Sequence, residues 1–562
     1  MVVLAAINAK YIHSNLAVHS LKAYAEKQKT QNLPEIRIAE FTINQQVEDI
    51  LGSLYEMKAD TIAFSCYIWN VDYVCRVANA LKSVAPEICI WVGGPEVSYH
   101  GTEFLEEHGY VDVVMLGEGE ESFCQLIHGD DLTTIPGIVY RVETGIQTNA
   151  PANPLDMDEL PFVYQDMRGF EHRIVYYESS RGCPFRCSYC LSSLDKQVRF
   201  RSVELVKEEL QFFLDMQVPQ VKFIDRTFNC NPKRAYDIWK FICEQDNGIT
   251  NFHFEISADL LTEEQMNLMK HMRPGLIQLE IGLQTTHPET IEAIHRKMDI
   301  EAIRRNVERI HAYGNIHQHL DLIAGLPYED LEHFRTSFDE AYAMQAEELQ
   351  LGFLKVLKGS FMEEQAAEYE LQYMVEPPYE VLRTRWLSYA DIRTLKRVEE
   401  MLEVYHNSGQ FQNSLAYLMT FQKSPFDFFL QLGEYYKKKG YEGFQLKRLD
   451  RYNILREFVM EQAWETVDVT ELEKRLLHDL YLRENLKKRP DWAKSYEECK
   501  KDMAKYFRLS GNKGKNLHLE PWLEQGKNGY LLYDYENRDR LHNFAATRFV
   551  SINEFEQVLS KE

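Results

Sequence analysis

The sequence predicts an α/β protein built as two successive strand–helix domains and a mostly helical third one. Three observations carry this. Residues 1–128 alternate apolar strand-like runs with amphipathic helical runs. The same alternation resumes near residue 176 and repeats six times. Beyond about residue 360 the apolar spacing becomes helical.

In residues 1–128 strands are expected at 2–7, 36–41, 61–65, 88–92 and 111–116. Helical patterns lie between them, as at 17–28, 71–84 and 102–108. Parallel neighbours need a crossover, so a helix after each strand argues for a doubly wound parallel sheet. In residues 129–172, Pro136, Pro151, Pro154 and Pro161 break the rhythm, predicting a linker with a small hairpin at 137–142 and a partner. Residues 173–360 offer strands at 175–179, 221–224, 253–256, 276–281, 317–323 and 348–357. Helices intervene, and six such units predict a partial barrel. In residues 361–562 helices are expected at 363–373, 389–405, 425–438 and 469–486, with one short strand at 529–535. Aromatic residues are dense there, from Trp386 to Tyr436, and read as helix core.

The bulk numbers exclude some classes. A net charge of −24, from 63 basic and 87 acidic residues, repels a phosphate backbone and argues against a nucleic-acid partner. No apolar run reaches the roughly 18 residues that span a bilayer, so no membrane association is expected. The apolar start, residues 2–7, has no basic segment before it and reads as a buried strand, so a cytoplasmic protein is expected. Of ten cysteines, seven are scattered and read as small core residues.

The other three form Cys183-Pro-Phe-Arg-Cys187-Ser-Tyr-Cys190, a C-x3-C-x2-C spacing between a strand and a helix. That places them at the C-terminal end of a barrel strand, where such barrels carry chemistry. Three thiolates can hold a [4Fe–4S] cluster and leave one iron open to a small molecule. Structural zinc would want a fourth ligand, and no second C-x2-C pair or adjacent histidine supplies it. A chance group of core cysteines fits poorly with the flanking Arg181, Gly182, Pro184 and Arg186.

The motif resembles that of the radical S-adenosylmethionine (SAM) superfamily, C-x3-C-x-aromatic-C, with Tyr189 at the aromatic position. The resemblance implies a [4Fe–4S] cluster on Cys183, Cys187 and Cys190. It also implies SAM chelated to the open iron and a 5′-deoxyadenosyl radical on reduction. Later segments resemble the family in the same order. Asp225, ending the second barrel strand, is implied as a contact to the SAM amino group, with an Asx turn or helix cap as the plain alternative. Glu255, ending the third, is implied near the ribose or ammonium, against an ordinary strand-end charge. Leu279-Glu-Ile-Gly-Leu-Gln284 resembles the fourth-strand motif, with Glu280 and Gln284 as candidates. Asp321-Leu-Ile-Ala-Gly-Leu-Pro327 resembles the fifth.

Residues 1–128 resemble the Rossmann-like cobalamin-binding domain found before such barrels. Ser65-Cys-Tyr67 and Gly93-Gly-Pro-Glu96 follow two strands, and the resemblance implies that Ser65, Gly93 and Gly94 meet the nucleotide tail of the corrinoid. Gly117-Glu-Gly-Glu120 also fits. The family's D-x-H-x-x-G motif is missing. His13 lies in that region, with three roles open: cobalt ligand, contact to the tail, or cap of the helix that starts near Asn15. Without the motif, histidine-free binding is the expectation. The plain alternative for this domain is a generic nucleotide-binding fold.

Residues 361–562 resemble an uncharacterised C-terminal extension of one branch of these enzymes. The whole implies a cobalamin-dependent radical SAM enzyme that methylates an unactivated position of a small molecule or peptide. A reductant such as flavodoxin or ferredoxin would feed it. A non-methylating rearrangement or cyclisation, and a corrinoid-binding sensor with a structural cluster, are the alternatives.

Overall fold

A computed structural model of the 562-residue chain describes residues 1–28, 33–195, 197–464, 466–486, 488–493, 497–510, 516–524 and 527–561. The first sheet is built from β1 (Val2–Asn8), β2 (Ile36–Thr42), β3 (Thr61–Ser65), β4 (Cys89–Gly93) and β5 (Val113–Met115), all parallel. Every residue of β1 is buried, as a parallel strand covered on both faces requires. The covers are α1 (Leu16–Lys27), α2 (Val47–Glu56), α3 (Val71–Val84), α4 (Gly101–Glu107) and α5 (Glu120–His128). The strand order β2-β1-β3-β4-β5 reverses direction between β1 and β3. A crevice outside the strand ends opens at such a switch point.

The hairpin expected in the linker is part of this sheet. Strands β6 (Ile138–Val142) and β7 (Gly145–Thr148) extend it antiparallel beyond β5. Residues Ile138, Val139 and Tyr140 are buried, so the apolar face of the hairpin has nowhere else to go.

The second sheet is fully parallel, in the order β15-β14-β13-β12-β11-β8. Its strands are β8 (Val175–Tyr177), β11 (Gln220–Phe223), β12 (Asn251–Ile256), β13 (Ile277–Gln284), β14 (His317–Ala324) and β15 (Glu348–Phe353). Between β8 and β11 a short antiparallel pair, β9 (Ser180–Arg181) and β10 (Arg199–Phe200), frames the cysteine loop. The outer helices are α6 (Val203–Asp215), α7 (Pro232–Glu244), α8 (Glu263–Met269), α9 (Pro288–Ala293), α10 (Ile300–Tyr313) and α11 (Leu331–Ala343). Local sequence sets their ends: Thr262 and Gln265 form a capping box on α8, while Asp299 starts α10 and left-handed Gly314 ends it.

Six strands do not close a ring, and both free edges are covered. At β8, Ile174 N donates to Ile12 O at 2.8 Å and its carbonyl accepts from Ser14 Oγ at 3.0 Å. At β15, Leu349 N donates to Asn407 Oδ1 at 3.0 Å, and Asn407 Nδ2 donates to Leu349 O at 2.9 Å.

The C-terminal region begins with α12 (Phe361–Glu364) and a small ladder, β16 (Gln372–Tyr373) with β17 (Val381–Arg383). The helix expected over 363–373 therefore stops after one turn. Ser360 caps its start, and Glu370 turns left-handed, with φ 50°, to bring Leu371 inward. Helices α13 (Tyr389–Leu402), α14 (Gln412–Met419), α15 (Pro425–Lys439), α16 (Arg448–Gln462), α17 (Val469–Arg483) and α18 (Glu497–Leu509) follow. Phe426 and Phe429 of α15 pack edge-on against Phe338 of α11, so the barrel and these helices share one core. Three antiparallel strands, β18 (Leu517–Glu524), β19 (Lys527–Arg538) and β20 (Ala545–Ser551), stand where one was expected, before α19 (Ile552–Leu559). Pro521 sits in β18, an edge strand of that sheet, which tolerates its missing N–H. Among the described residues no helix is long and apolar enough to cross a membrane.

Candidate active site

A cavity of about 470 Å³ lies between the two α/β domains, at the C-terminal ends of β1, β3, β4 and β5. Ser65, Gly93 and Gly94 line it. Gly94 has φ +114°, and a Cβ there would meet Cys66 O at 2.5 Å, so only glycine fits. Ser65 Oγ accepts from Asn15 Nδ2 at 2.9 Å. Buried Asn70 ties the neighbouring loop together: its Nδ2 donates to Ile7 O and Ser65 O, each at 2.9 Å, and its Oδ1 accepts from Tyr67 N at 2.7 Å.

The opposite wall comes from the barrel domain, through Glu178, Arg181, Asp195 and Ile224. Arg181 stands two residues before Cys183 and donates to Glu178 Oε2 at 2.9 Å, Glu118 Oε2 at 2.9 Å and Glu120 Oε1 at 2.6 Å. Arg199, on the partner strand, also donates to Glu118. The Gly117–Glu120 loop thus lines the cavity and grips the barrel with its two carboxylates. Burial pushes the Glu120 carboxyl up, but Arg181 outweighs it and holds the group below its ordinary value. Arg181 stood out in the sequence only as a flank of the cysteine motif, and Arg199 not at all.

His13 does not line the cavity. Its Nδ1 shares a 2.6 Å hydrogen bond with Tyr176 OH, and its backbone bridges Ile174 at the barrel edge. Of the three roles left open for His13, cobalt ligand, tail contact or helix cap, the cap belongs to Asn15, and the His13 ring is bonded to Tyr176 at the barrel edge.

The cysteine loop crosses the mouth of the barrel. Ser188 N donates to Ile294 O at 3.0 Å, and Met362 N donates to Ser188 O at 2.9 Å. Arg296 Nη1 donates to Cys187 Sγ at 3.6 Å and to Tyr189 OH at 3.2 Å, while its Nη2 donates to Gly282 O. Cys183 Sγ lies 3.8 Å from Thr227 Oγ1. Among the described residues no three His, Cys, Asp or Glu side chains converge as ligands to one metal ion would. A four-iron cube takes each thiolate at a separate corner, so its ligands stay apart.

Asp225 is fully buried, and its Oδ1 accepts from Ser179 N at 2.7 Å and Ser180 N at 3.0 Å, while Oδ2 accepts from Ser179 Oγ. These three bonds hold the strand that leads into the cysteine loop, and Asp225 caps no helix.

The interior of the barrel is polar. Alternation along β12, β13 and β14 sends Phe254, Leu279, Ile281 and Leu320 into the helix-side core, and puts Glu255, Glu280, His319 and Asp321 on the other face. Glu255, Glu280 and His319 are adjacent in register. Glu280 Oε2 accepts from Lys222 Nζ at 3.1 Å and pairs with His253 Nε2 at 2.9 Å. Burial pushes Glu280 up, but these two partners hold its carboxyl at about 2. Burial pushes Glu255 up to about 7, aided by the Glu280 charge and opposed by Arg226. Burial, then the charges of Glu280, Glu255 and Glu348, raises Asp321. Gln284 ends β13 in a left-handed conformation, φ 72°, and among the described residues its buried Oε1 has no hydrogen-bond partner.

Comparison with known proteins fits this geometry. Residues 2–127 match the B12 binding domain, and residues 177–341 match the radical SAM superfamily. The chain thus carries a B12-binding domain followed by a radical SAM domain. More particularly, residues 367–527 match a protein family of unknown function, DUF4080, which marks its C-terminal extension. The chain is 28% identical over 347 residues to the cobalamin-dependent radical SAM methyltransferase TokK of Streptomyces tokunonensis, covering 56% of this chain and 49% of TokK. The same identity and coverage hold for the 2-(S-pantetheinyl)-carbapenam-3-carboxylate methyltransferase of Streptantibioticus cattleyicolor. The chain spans about half the length of these two curated relatives. Among solved structures, the cobalamin-dependent SAM radical enzyme OxsB with aqua-cobalamin bound superposes with TM-score 0.60 at 14% identity, over 85% of this chain and 80% of OxsB. The methyltransferase TsrM from Kitasatospora setae, with tryptophan substrate and a SAM analogue, gives TM-score 0.56 at 17% identity, over 68% of this chain and 80% of TsrM. Those two likenesses establish the fold.

Proposed function

We propose that this chain is a cytoplasmic, cobalamin-dependent radical SAM methyltransferase acting on an unactivated position of a small molecule or peptide. One observation carries the reading. The cavity at the strand ends of the B12-binding domain is walled on its far side by Arg181 and Asp195, which bracket the three-cysteine loop.

The residues present fit the groups this requires. Cys183, Cys187 and Cys190 offer three thiols on one loop for a [4Fe–4S] cluster, and the Arg296 donor suits a thiolate at Cys187. Ser65, Gly93 and Gly94 offer a hydroxyl and a close backbone approach to a planar base, in a cavity of the size that small ligands fill. Tyr189, Glu255, Glu280 and Gln284 surround the mouth and interior of the barrel for SAM, whose ammonium would satisfy the orphaned Gln284 Oε1. When bound, these groups supply reductive SAM cleavage and methyl delivery. The chain's own part is positional. Asp225 fixes the strand before the cysteines, Arg181 fixes the domain interface, and the covered barrel keeps water from a radical. A flavodoxin or ferredoxin would supply the electron.

Anaerobic reconstitution with iron, sulfide and hydroxocobalamin tests this. The expected result is both visible spectra, 5′-deoxyadenosine release on reduction with SAM, and one added methylene mass per turnover. Alanine at any of the three cysteines abolishes cluster and cleavage together. Protein that carries zinc in place of the cluster overturns the proposal, and product of unchanged mass assigns the chain to rearrangement chemistry.

A further inference from the structure

The turn after β11 buries Asp225, Thr227, Phe228 and Asn229 and exposes one residue among them, Arg226. The turn is held on both sides. Asp225 is tied to Ser179 and Ser180, and Asn229 exchanges two bonds with Ser257, donating to its carbonyl at 2.8 Å and accepting from its N–H at 2.9 Å. Thr227 Oγ1 donates to Arg226 O at 2.8 Å and lies 3.8 Å from Cys183 Sγ. Ile224, two residues before Arg226, lines the cavity between the domains. Arg226 thus stands at the seam of the two α/β domains. Its charge reaches the Tyr67 hydroxyl on the cavity wall and the Glu255 carboxyl of the barrel interior. Among the described residues its guanidinium donates no hydrogen bond and makes no ion pair.

We propose that Arg226 takes an anionic group of the substrate, a carboxylate or a phosphate, and so selects acidic substrates. The proposal rests on the methyltransferase reading above and narrows its substrate class. A guanidinium presents a planar fork that matches either group with two parallel hydrogen bonds. Two other anions come near this seam. The SAM carboxylate goes to the open iron by the resemblance, and the corrinoid phosphate goes with its tail to Ser65, Gly93 and Gly94 on the opposite wall. The substrate is the component left to meet the unpaired cation. A chain of net charge −24 repels an acidic small molecule over most of its surface, so a cation at the seam also steers it inward.

The test uses the reconstituted full chain, methyl-deuterated SAM and a metabolite extract of the source cells. Anion exchange at neutral pH splits the extract into a retained acidic pool and a flow-through pool. Trideuteromethyl product should come from the retained pool alone. Arg226→Gln should lower its yield by at least about tenfold, and Arg226→Lys, which keeps the charge without the fork, should restore part of it. Iron content, cobalamin content and SAM affinity of both variants should match wild type. A second readout needs no turnover. Proton resonances of succinate or glycerol phosphate should be broadened by the wild type loaded with cob(II)alamin and not by Arg226→Gln, while neutral succinamide is broadened by neither. Product from the flow-through pool overturns the proposal, as does equal yield in Arg226→Gln. Lost cobalamin or SAM binding in that variant assigns the arginine to one of the other two anions and overturns it too. Broadening by wild type alone, with labelled product from neither pool, overturns the methyltransferase reading and leaves the anion site standing. Neither product nor broadening overturns both.

Discussion

Arg181 Nη2 lies 2.6 Å from Glu120 Oε1, and this pair joins the strand before the cysteine loop to the last helix of the B12-binding domain. Glu120 is buried with a side-chain exposure of 5%, so losing its partner strands a charge in low dielectric. Arg181→Met should destabilise the chain by about 3–5 kcal/mol. Arg181→Lys keeps the charge but not the fork, and should fall between. Urea unfolding with cobalamin retention on gel filtration checks this, and a loss below about 1 kcal/mol contradicts it.

Asp225 accepts two backbone N–H groups and a hydroxyl from Ser179 and Ser180. Asp225→Ala leaves those donors buried and unmet, at about 1–3 kcal/mol each before relaxation. Reconstituted iron per chain should fall along with stability. Asp225→Asn, which keeps one acceptor oxygen, should recover most of the iron. Equal iron in the alanine variant and wild type would refute the positioning role.

Gly94→Ala places a methyl 2.5 Å from Cys66 O at a left-handed backbone. A cost of about 1–3 kcal/mol is expected, because the contact is with backbone and cannot swing away. Cobalamin retention should drop more than iron content, since the cysteine loop is untouched. Thermal melting with paired metal and corrinoid assays reads the difference.

Glu255 sits at about 7 in the folded chain, against its ordinary 4.5. The folded chain therefore binds more protons than the unfolded one between these values. Its contribution favours folding below about pH 4.5 and is lost as pH rises through 7. The loss is on the order of 3 kcal/mol. Glu255→Gln should flatten the fall in stability of the cofactor-free chain over that window. Denaturation midpoints taken across it check the slope, and an unchanged slope in the variant assigns the effect elsewhere.

Much of this was legible in the chain itself. The cysteine loop and the Gly93-Gly94 turn are local patterns, where spacing and backbone freedom are written in neighbouring residues. What escaped depends on partners far apart in sequence. Arg181 meets Glu120 across 61 residues, Asp225 meets Ser179 across 46, and Arg296 meets Cys187 across 109. An arginine or aspartate has the same local signature whether it ends in solvent, on a ligand or on a distant carbonyl. His13 misled for the same reason. Of the last sheet only the stretch 529–535 within β19 was read as a strand; Pro521, in edge strand β18, is a residue that argues against a strand until its edge position is known.

The side-chain amide of Asn407 meets the N–H and C=O of Leu349 as a neighbouring strand residue would. A partly rolled sheet keeps a rim of peptide groups that recruits any extended chain passing by, another copy included. A fragment trimmed back to the two α/β domains would keep all three cysteines and leave that rim without its Asn407 partner. The appended helices thus act as a stopper against unwanted stacking, whatever else they contribute to chemistry.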